Sequence, residues 1–313
     1  MWSMLLTVLL HLVLIAVPAD DAFFLGRWDM TVTTTNGTQR ASWIEITRDD
    51  SGALKARMVG TGGGVFTVPE VAIENGELVF KTYSGSGALR VATVYRGKQD
   101  GAGLKGMLTL GVTEPRPWSA TRGPDWKTPK NAAASKKLGK PIELFNGKDL
   151  TGWLPQDETK PLGWIVKDGA LDNQGKANNI YSTQKFTDFK VEAEYAVGPD
   201  GNSGVYLRGR YEVQVLDDFG KPPEAHSHGS LYSFIAPRVN ASKPAGEWQK
   251  MEATIVGNRV TVILNGEKLI DDQEIPGSTG GALDSHESEP GPILLQGDHA
   301  GIRFRRVTVT PLL

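Results

Sequence analysis

Gly201-Asn-Ser-Gly-Val-Tyr-Leu-Arg-Gly-Arg-Tyr-Glu-Val-Gln-Val-Leu-Asp-Asp218 alternates apolar and polar residues on both sides of Gly209. Extended chain repeats every second residue, so a turn near Gly209 would join two strands. Val205, Leu207, Tyr211, Val213 and Val215 then fill a core, while Tyr206, Arg208, Arg210, Glu212 and Gln214 stand on the opposite face. A polar strand face is often merely solvated. This one lacks lysine and offers Tyr, Arg, Glu and Gln, groups suited to gripping sugar hydroxyls.

The alternation continues outward. Phe189, Val191, Ala193, Tyr195 and Val197 share one face, with Lys190, Glu192 and Glu194 on the other. Residues 251–270 read as two consecutive hairpins turning at Gly257-Asn258 and Asn265-Gly266, and Ile302–Val309 as a final strand. No run is long enough for a crossover helix, so residues 142–313 predict an all-β sandwich of two sheets, of the jelly-roll kind.

Upstream, residues 22–122 consist of short alternating stretches such as Ser42–Ile46, Leu54–Val59, Glu77–Tyr83 and Leu89–Tyr95, with hairpin dipeptides at Asn36-Gly37 and Asn75-Gly76. They predict a small antiparallel β-barrel, closed or nearly so. Its ends, Gly26-Arg-Trp28 and Trp118-Ser-Ala-Thr-Arg122, resemble the opening Gly-x-Trp and closing Arg of lipocalin-like barrels, where the Arg covers the Trp ring. A barrel this small is filled by its own side chains, so no ligand follows from it. Residues 123–141, rich in Pro, Ala and Lys without apolar periodicity, read as a semi-extended exposed linker.

Residues 1–19 carry an apolar run too short to span a bilayer, and Val17 and Ala19 supply the small residues that a signal peptidase needs. Export to the periplasm or medium is therefore expected. One departure is that no Lys or Arg precedes the apolar run, which leaves an uncleaved anchor as the other reading.

The 34 Lys and Arg nearly balance the 36 Asp and Glu, which argues against a nucleic-acid partner. There is no cysteine, so disulfides, thiolate metal sites and cysteine nucleophiles are excluded. Any metal must be held by His, carboxylate or carbonyl groups. Gly101-Ala-Gly-Leu-Lys-Gly106 matches a dinucleotide fingerprint, yet strand-like Met107–Leu110 follows where a helix N-terminus would hold the pyrophosphate. It reads as a hairpin loop, and no organic cofactor is expected. His286-Glu287 begins like a zinc-protease motif, but the second His is missing.

Several ordered motifs carry a resemblance: Leu144-Phe-Asn-Gly-Lys-Asp-Leu-Thr-Gly-Trp153, Trp164–Leu171, Phe186-Thr-Asp-Phe189, Gly201–Arg208, Tyr211–Asp217, Lys243–Trp248, Leu264-Asn-Gly266 and Gly291–Gln296. From about 142 to 310 the chain resembles the 3-keto-disaccharide hydrolase family, once known only as a domain of unknown function. The resemblance implies a concanavalin-like jelly roll and an exported bacterial enzyme that cleaves glycosides already oxidised to a ketone at C3. Hydrolysis is one route; in some relatives, as 1,2-lyases, elimination leaves a glycal that is then hydrated.

The residues suit that chemistry better than ordinary retaining hydrolysis, which uses two carboxylates, because the neighbour of Glu212 on its face is the non-titrating Gln214. A ketone at C3 acidifies the C2 proton, so one base, a partner for the O3 oxyanion and an acid for the leaving oxygen would suffice. Glu212 and one of His226 or His228 are the candidates for base or metal ligand. His226 and His228 would act together if extended, since i and i+2 point to one side. Tyr206, Arg208, Gln214, Gln296 and His299 are the candidate sugar binders, with Arg208 or a divalent cation as the oxyanion partner. The cation's candidate ligands are Glu212, Asp217, His226 and His228. Family members often read Leu-Gln-Asp-His-Gly before the last strand, whereas this chain has Leu295-Gln-Gly-Asp-His-Ala300, one residue longer. The expected partner is thus a small carbohydrate, without stable membrane insertion after signal removal. A lectin-like binding module is the rival reading, since fold alone does not decide function. A cell-surface adaptor docking through the barrel is a third.

Overall fold

In a computed structural model the described residues are 19–313 except Gln174 and Ala300. Apart from Ala19, the expected signal peptide lies outside them. Among the described residues no helix is long and apolar enough to cross a membrane.

The first unit is a nine-stranded antiparallel sheet made of β1 Gly26–Thr33, β2 Gln39–Arg48, β3 Leu54–Val59, β4 Val65–Val68, β5 Glu70–Glu74, β6 Glu77–Ser84, β7 Val91–Asp100, β8 Gly103–Leu110 and β9 Arg116–Arg122. Its order, β4-β3-β2-β1-β9-β8-β7-β6-β5, places at its two edges strands that only Pro69 separates in sequence. The barrel is nearly closed, with a seam where proline has no N–H to donate. Trp28, Met30, Ile44, Met58, Phe80 and Trp118 are among the side chains that fill it. The Arg122 guanidinium lies 3.7 Å from the centroid of the Trp28 ring, as the lipocalin-like ends imply.

The hairpin signals resolve differently. Asn75 and Gly76 both have positive φ (52° and 76°), the two-residue turn that was expected. At Asn36-Gly37 only Gly37 does, because the turn is longer and is closed by Thr34 N donating to the Thr38 carbonyl. Gly101 sits in the tight turn between β7 and β8, so the dinucleotide-like glycines form a hairpin.

The second unit comprises β10 Ile142–Glu143, β11 Trp153–Pro155, β12 Trp164–Lys167, β13 Ala170–Asn173, β14 Ile180–Ser182, β15 Phe189–Val197, β16 Asn202–Leu207, β17 Tyr211–Leu216, β18 Trp248–Val256, β19 Arg259–Leu264, β20 Glu267–Glu274, β21 Leu294–Leu295 and β22 Ile302–Pro311. One sheet runs β12-β13-β22-β15-β18-β19-β20, with β10 also on β22. The other runs β11-β14-β21-β16-β17. Phe189, Val191, Tyr195, Phe304 and Val307 from the first meet Val205, Leu207, Val213, Val215 and Leu295 from the second in one core. Each such burial contributes about 1.5–3 kcal/mol. Exposed ion pairs such as Lys250–Glu192 on the outer face are worth ~0–1 kcal/mol, so the sandwich is held by its interior.

The linker lies against this second unit. Trp126 sits 5.8 Å from the Arg208 guanidinium, Asn131 N donates to Asp272, and Leu138 bridges Leu312.

Candidate functional site

The β16–β17 register pairs Tyr206 with Glu212 and Gly204 with Gln214, so these four residues share the face turned away from the core. That face floors a cleft of ≈ 500 Å³. Gly204 matters by what it lacks, since a Cβ there would come within 2.4 Å of Glu212 Oε1. The carboxyl therefore lies across the strand over the glycine.

Glu212 is held from several directions. Its backbone N donates to Thr279 Oγ1 at 2.9 Å, and its carbonyl accepts from Tyr232 N at 3.0 Å. Tyr206 Oη is 3.0 Å from Glu212 Oε2 and 2.9 Å from the Gly280 carbonyl. One phenolic hydrogen cannot serve both acceptors. With Glu212 protonated, the carboxyl can donate to Tyr206 while Tyr206 donates to Gly280; with Glu212 ionised, Tyr206 turns its hydrogen to the carboxylate. Burial pushes the carboxyl up to about 8, opposed by the Tyr206 hydrogen bond and aided by the charge of Asp298.

Six buried side-chain polar atoms have no hydrogen-bond partner among the described residues, and two of them, Gln214 Oε1 and Gln296 Oε1, line this cleft. Such acceptors are costly unless something donates to them, and sugar hydroxyls are suitable donors. Gln296 is fixed by its N donating to the Gly204 carbonyl and by Ser203 Oγ donating to the Gln296 carbonyl. Asn178 and Asn179 brace the opposite rim: Asn178 Nδ2 donates to the Asp157 carbonyl at 2.6 Å, and Asn179 Oδ1 accepts from Gly297 N at 2.7 Å. At the mouth, Asp298 pairs with His299 Nδ1 at 2.9 Å and Asp157 with Lys160 at 3.2 Å.

Of the residues singled out in the sequence, Tyr206, Glu212, Gln214, Gln296 and His299 line the cleft. Four others do not. Arg208 belongs to the turn rather than to the strand face, with φ of 53°. Its guanidinium donates to the Thr187 and Gly257 carbonyls and to Asp188, so it clamps the hairpin and cannot serve as the oxyanion partner. Arg210, from the same turn, is spent on Asp284 and the Glu289 carbonyl. His226 and His228 do not act as a pair, because residues 224–230 form successive turns instead of extended chain. His226 is exposed, its ring 4.9 Å from that of Tyr232. His228 is enclosed: Nε2 is 2.6 Å from Tyr195 Oη and Nδ1 is 3.1 Å from Ser242 Oγ, which itself donates to Asp218. Burial lowers its pKa to about 4, so it is a neutral structural link. Asp217 accepts from Asp200 N beyond the far end of the hairpin.

The four proposed metal ligands are thus dispersed. Among the described residues no group of three or more His, Asp or Glu side chains is placed to hold a metal ion. These residues do not fit the divalent cation considered from the sequence.

Arg40, Tyr232, Asn178 and Asn179 also line the cleft, and no motif or strand period had marked them. One signal was present for the barrel's share: Gly60-Thr-Gly-Gly-Gly64, four glycines in five residues, is more than a hairpin requires.

A family model described as the 3-keto-alpha-glucoside-1,2-lyase-like domain matches residues 140–310. A 3-keto-disaccharide hydrolase of Bacteroides thetaiotaomicron is 24% identical over 166 positions, an alignment covering 42% of this chain and 57% of that protein. The chain therefore spans little more than half the length of that relative. Two crystal structures of candidate glycosyl hydrolases from Parabacteroides distasonis are 31% and 25% identical, covering 56% and 55% of this chain and 89% and 94% of theirs, with TM-scores of 0.47 and 0.45. With more than half of its residues matched by the family model, the chain belongs to the 3-keto-disaccharide hydrolase family of 3-keto-alpha-glucoside-1,2-lyase-like domains.

Proposed function

We propose that this chain is an exported enzyme that cleaves 3-keto-glycosides by elimination across C1 and C2, with Glu212 as the base. The observation that carries the reading is one buried carboxyl on the floor of a cleft that also holds two amide oxygens without a donor among the described residues. The same-face neighbour of Glu212 on β17 is an amide, which suits a single base better than a nucleophile and acid sharing one strand. Glu212 takes the C2 proton, and the C2–H electron pair forms an enolate with the C3 ketone. The enolate then reforms its carbonyl while C1=C2 forms and the C1–O bond breaks, and the leaving oxygen takes a proton from water. Addition of water to the resulting glycal at C1 completes a net hydrolysis.

Gln214, Gln296 and His299, all facing the cleft, hold sugar hydroxyls. Incubation with 3-keto-glucosides of both anomers in deuterated water tests this by NMR. The expected result is deuterium at C2 and a glycal, both reduced about 10²–10⁴-fold in Glu212→Gln. Retention of C2 protium during cleavage would replace elimination with direct hydrolysis. Sugar binding without any turnover would leave the lectin-like reading.

A further inference from the structure

The cleft is not made by the family domain alone. Arg40, near the start of β2, and Thr61, Gly62 and Gly63, from the loop between β3 and β4, belong to the barrel and line it. Their placement is built in. Gly63 and Gly280 meet backbone to backbone, since a Cβ on Gly280 would fall 2.1 Å from the Gly63 carbonyl oxygen. Gly280 is the residue whose carbonyl stands beside Tyr206. Val65 N donates to Ser233 Oγ at 2.9 Å, next to the cleft residue Tyr232. Farther along, Trp43 Nε1 donates to the Ser278 carbonyl at 2.7 Å and Arg27 Nη1 to the Pro276 carbonyl at 2.7 Å. Arg27 also pairs with the buried Glu287, and Thr31 Oγ1 lies 2.8 Å from Ser285 Oγ. The barrel is therefore fixed to the same 276–287 segment that carries Thr279, Gly280 and Gly281 into the site.

Arg40 differs from the other cations of the cleft. Lys160 and His299 each have an acidic partner, whereas the half-buried Arg40 side chain has no hydrogen bond, ion pair or ring contact among the described residues. A guanidinium presents five N–H donors in a rigid fork, a good match for the hydroxyls of a sugar ring. The ≈ 500 Å³ cleft exceeds what one sugar ring fills.

Resting on the reading that Glu212 acts at C2 of one ring, we propose that the barrel supplies the second sugar subsite. Arg40 and the Thr61–Gly63 loop hold the leaving-group sugar of a 3-keto-disaccharide and make the enzyme select disaccharides over simple alkyl glycosides. The test uses the full chain and two ligands, a 3-keto-disaccharide and methyl 3-keto-glucoside, with Kd measured by calorimetry on the Glu212→Gln background and kcat/KM on the active protein. Arg40→Ala is expected to weaken disaccharide binding and lower its kcat/KM about tenfold or more, while methyl glycoside values stay within about twofold. Arg40→Lys should recover part of the loss, and an unchanged thermal midpoint separates the effect from misfolding. Equal loss for both ligands, or no loss for either, overturns the proposal. If the wild type binds both ligands but cleaves neither, the elimination reading falls while the Kd comparison still decides the subsite. If it binds neither, both fall.

Discussion

Glu212 shows what one residue's surroundings decide. A carboxyl at its ordinary 4.5 would be ionised and a weak base; at about 8 it is matched to a C–H acidified by a ketone. The base form is the carboxylate, so kcat/KM should rise about tenfold per pH unit below about 8 and level off above it, measured on a fixed 3-keto-glycoside. A profile flat from pH 5 to 9 would exclude Glu212 as the base. The same shift acts on stability with the opposite sense. The folded state holds the proton more tightly than the unfolded chain, so stability is full below pH 4.5 and declines as pH rises to about 8. At pH 7 the loss is about 3 kcal/mol. Glu212→Gln should accordingly melt higher than the wild type at pH 8–9, with the advantage shrinking toward pH 4. The identity of Glu212, its face and its Gln214 neighbour were legible in the strand alternation. Its pKa was not, because desolvation comes from Tyr206, Gly204 and segments distant in sequence.

At the scale of the element, the β16–β17 hairpin marks where alternation stops being a guide. The rule holds through Leu207 and resumes at Tyr211, and it fails at Arg208 and Arg210 because the turn takes three residues. Within a turn the backbone, not the strand pleat, aims the side chain. Arg208 therefore points to Thr187, Asp188 and Gly257 instead of the cleft. It is 1% exposed, and removing it takes a donor from the Thr187 and Gly257 carbonyls, while Asp188 keeps Gly257 N and Lys136. Arg208→Ala should cost about 1.5–3 kcal/mol in chemical denaturation, the range for hydrogen bonds made by a charged group, while kcat per folded molecule changes far less than in Glu212→Gln. Loss of activity with full stability would return Arg208 to the site. The segment 224–230 failed for the same reason: His226 and His228 share a side only in extended chain, and this chain turns.

In the whole molecule, the barrel and sandwich meet through polar groups that would be unfavourable to bury singly. Arg27 binds Asp29 and Glu287, and Glu287 also accepts from Tyr211 Oη and Ser278 N. Burial, then the Glu287 charge, pushes Asp29 up to about 6. Trp43, fully buried and stacked 6.1 Å from Phe234, is the apolar centre of this junction. Trp43→Ala should cost about 3–5 kcal/mol and split a single calorimetric transition into two, the barrel separating before the sandwich melts. An unsplit transition at the wild-type temperature would mean that the units are coupled elsewhere. The sequence by itself determined the all-β class, the barrel ends and the strand faces, because each follows from a local period of two or from turn chemistry. It also supplied the family, through motifs in fixed order. Only the tertiary structure decided which of the polar residues share a cleft, that the proposed metal ligands do not converge, and that the barrel forms one wall. Those outcomes depend on how loops some 200 residues apart, such as Gly63 and Gly280, pack together, and no local pattern encodes that contact.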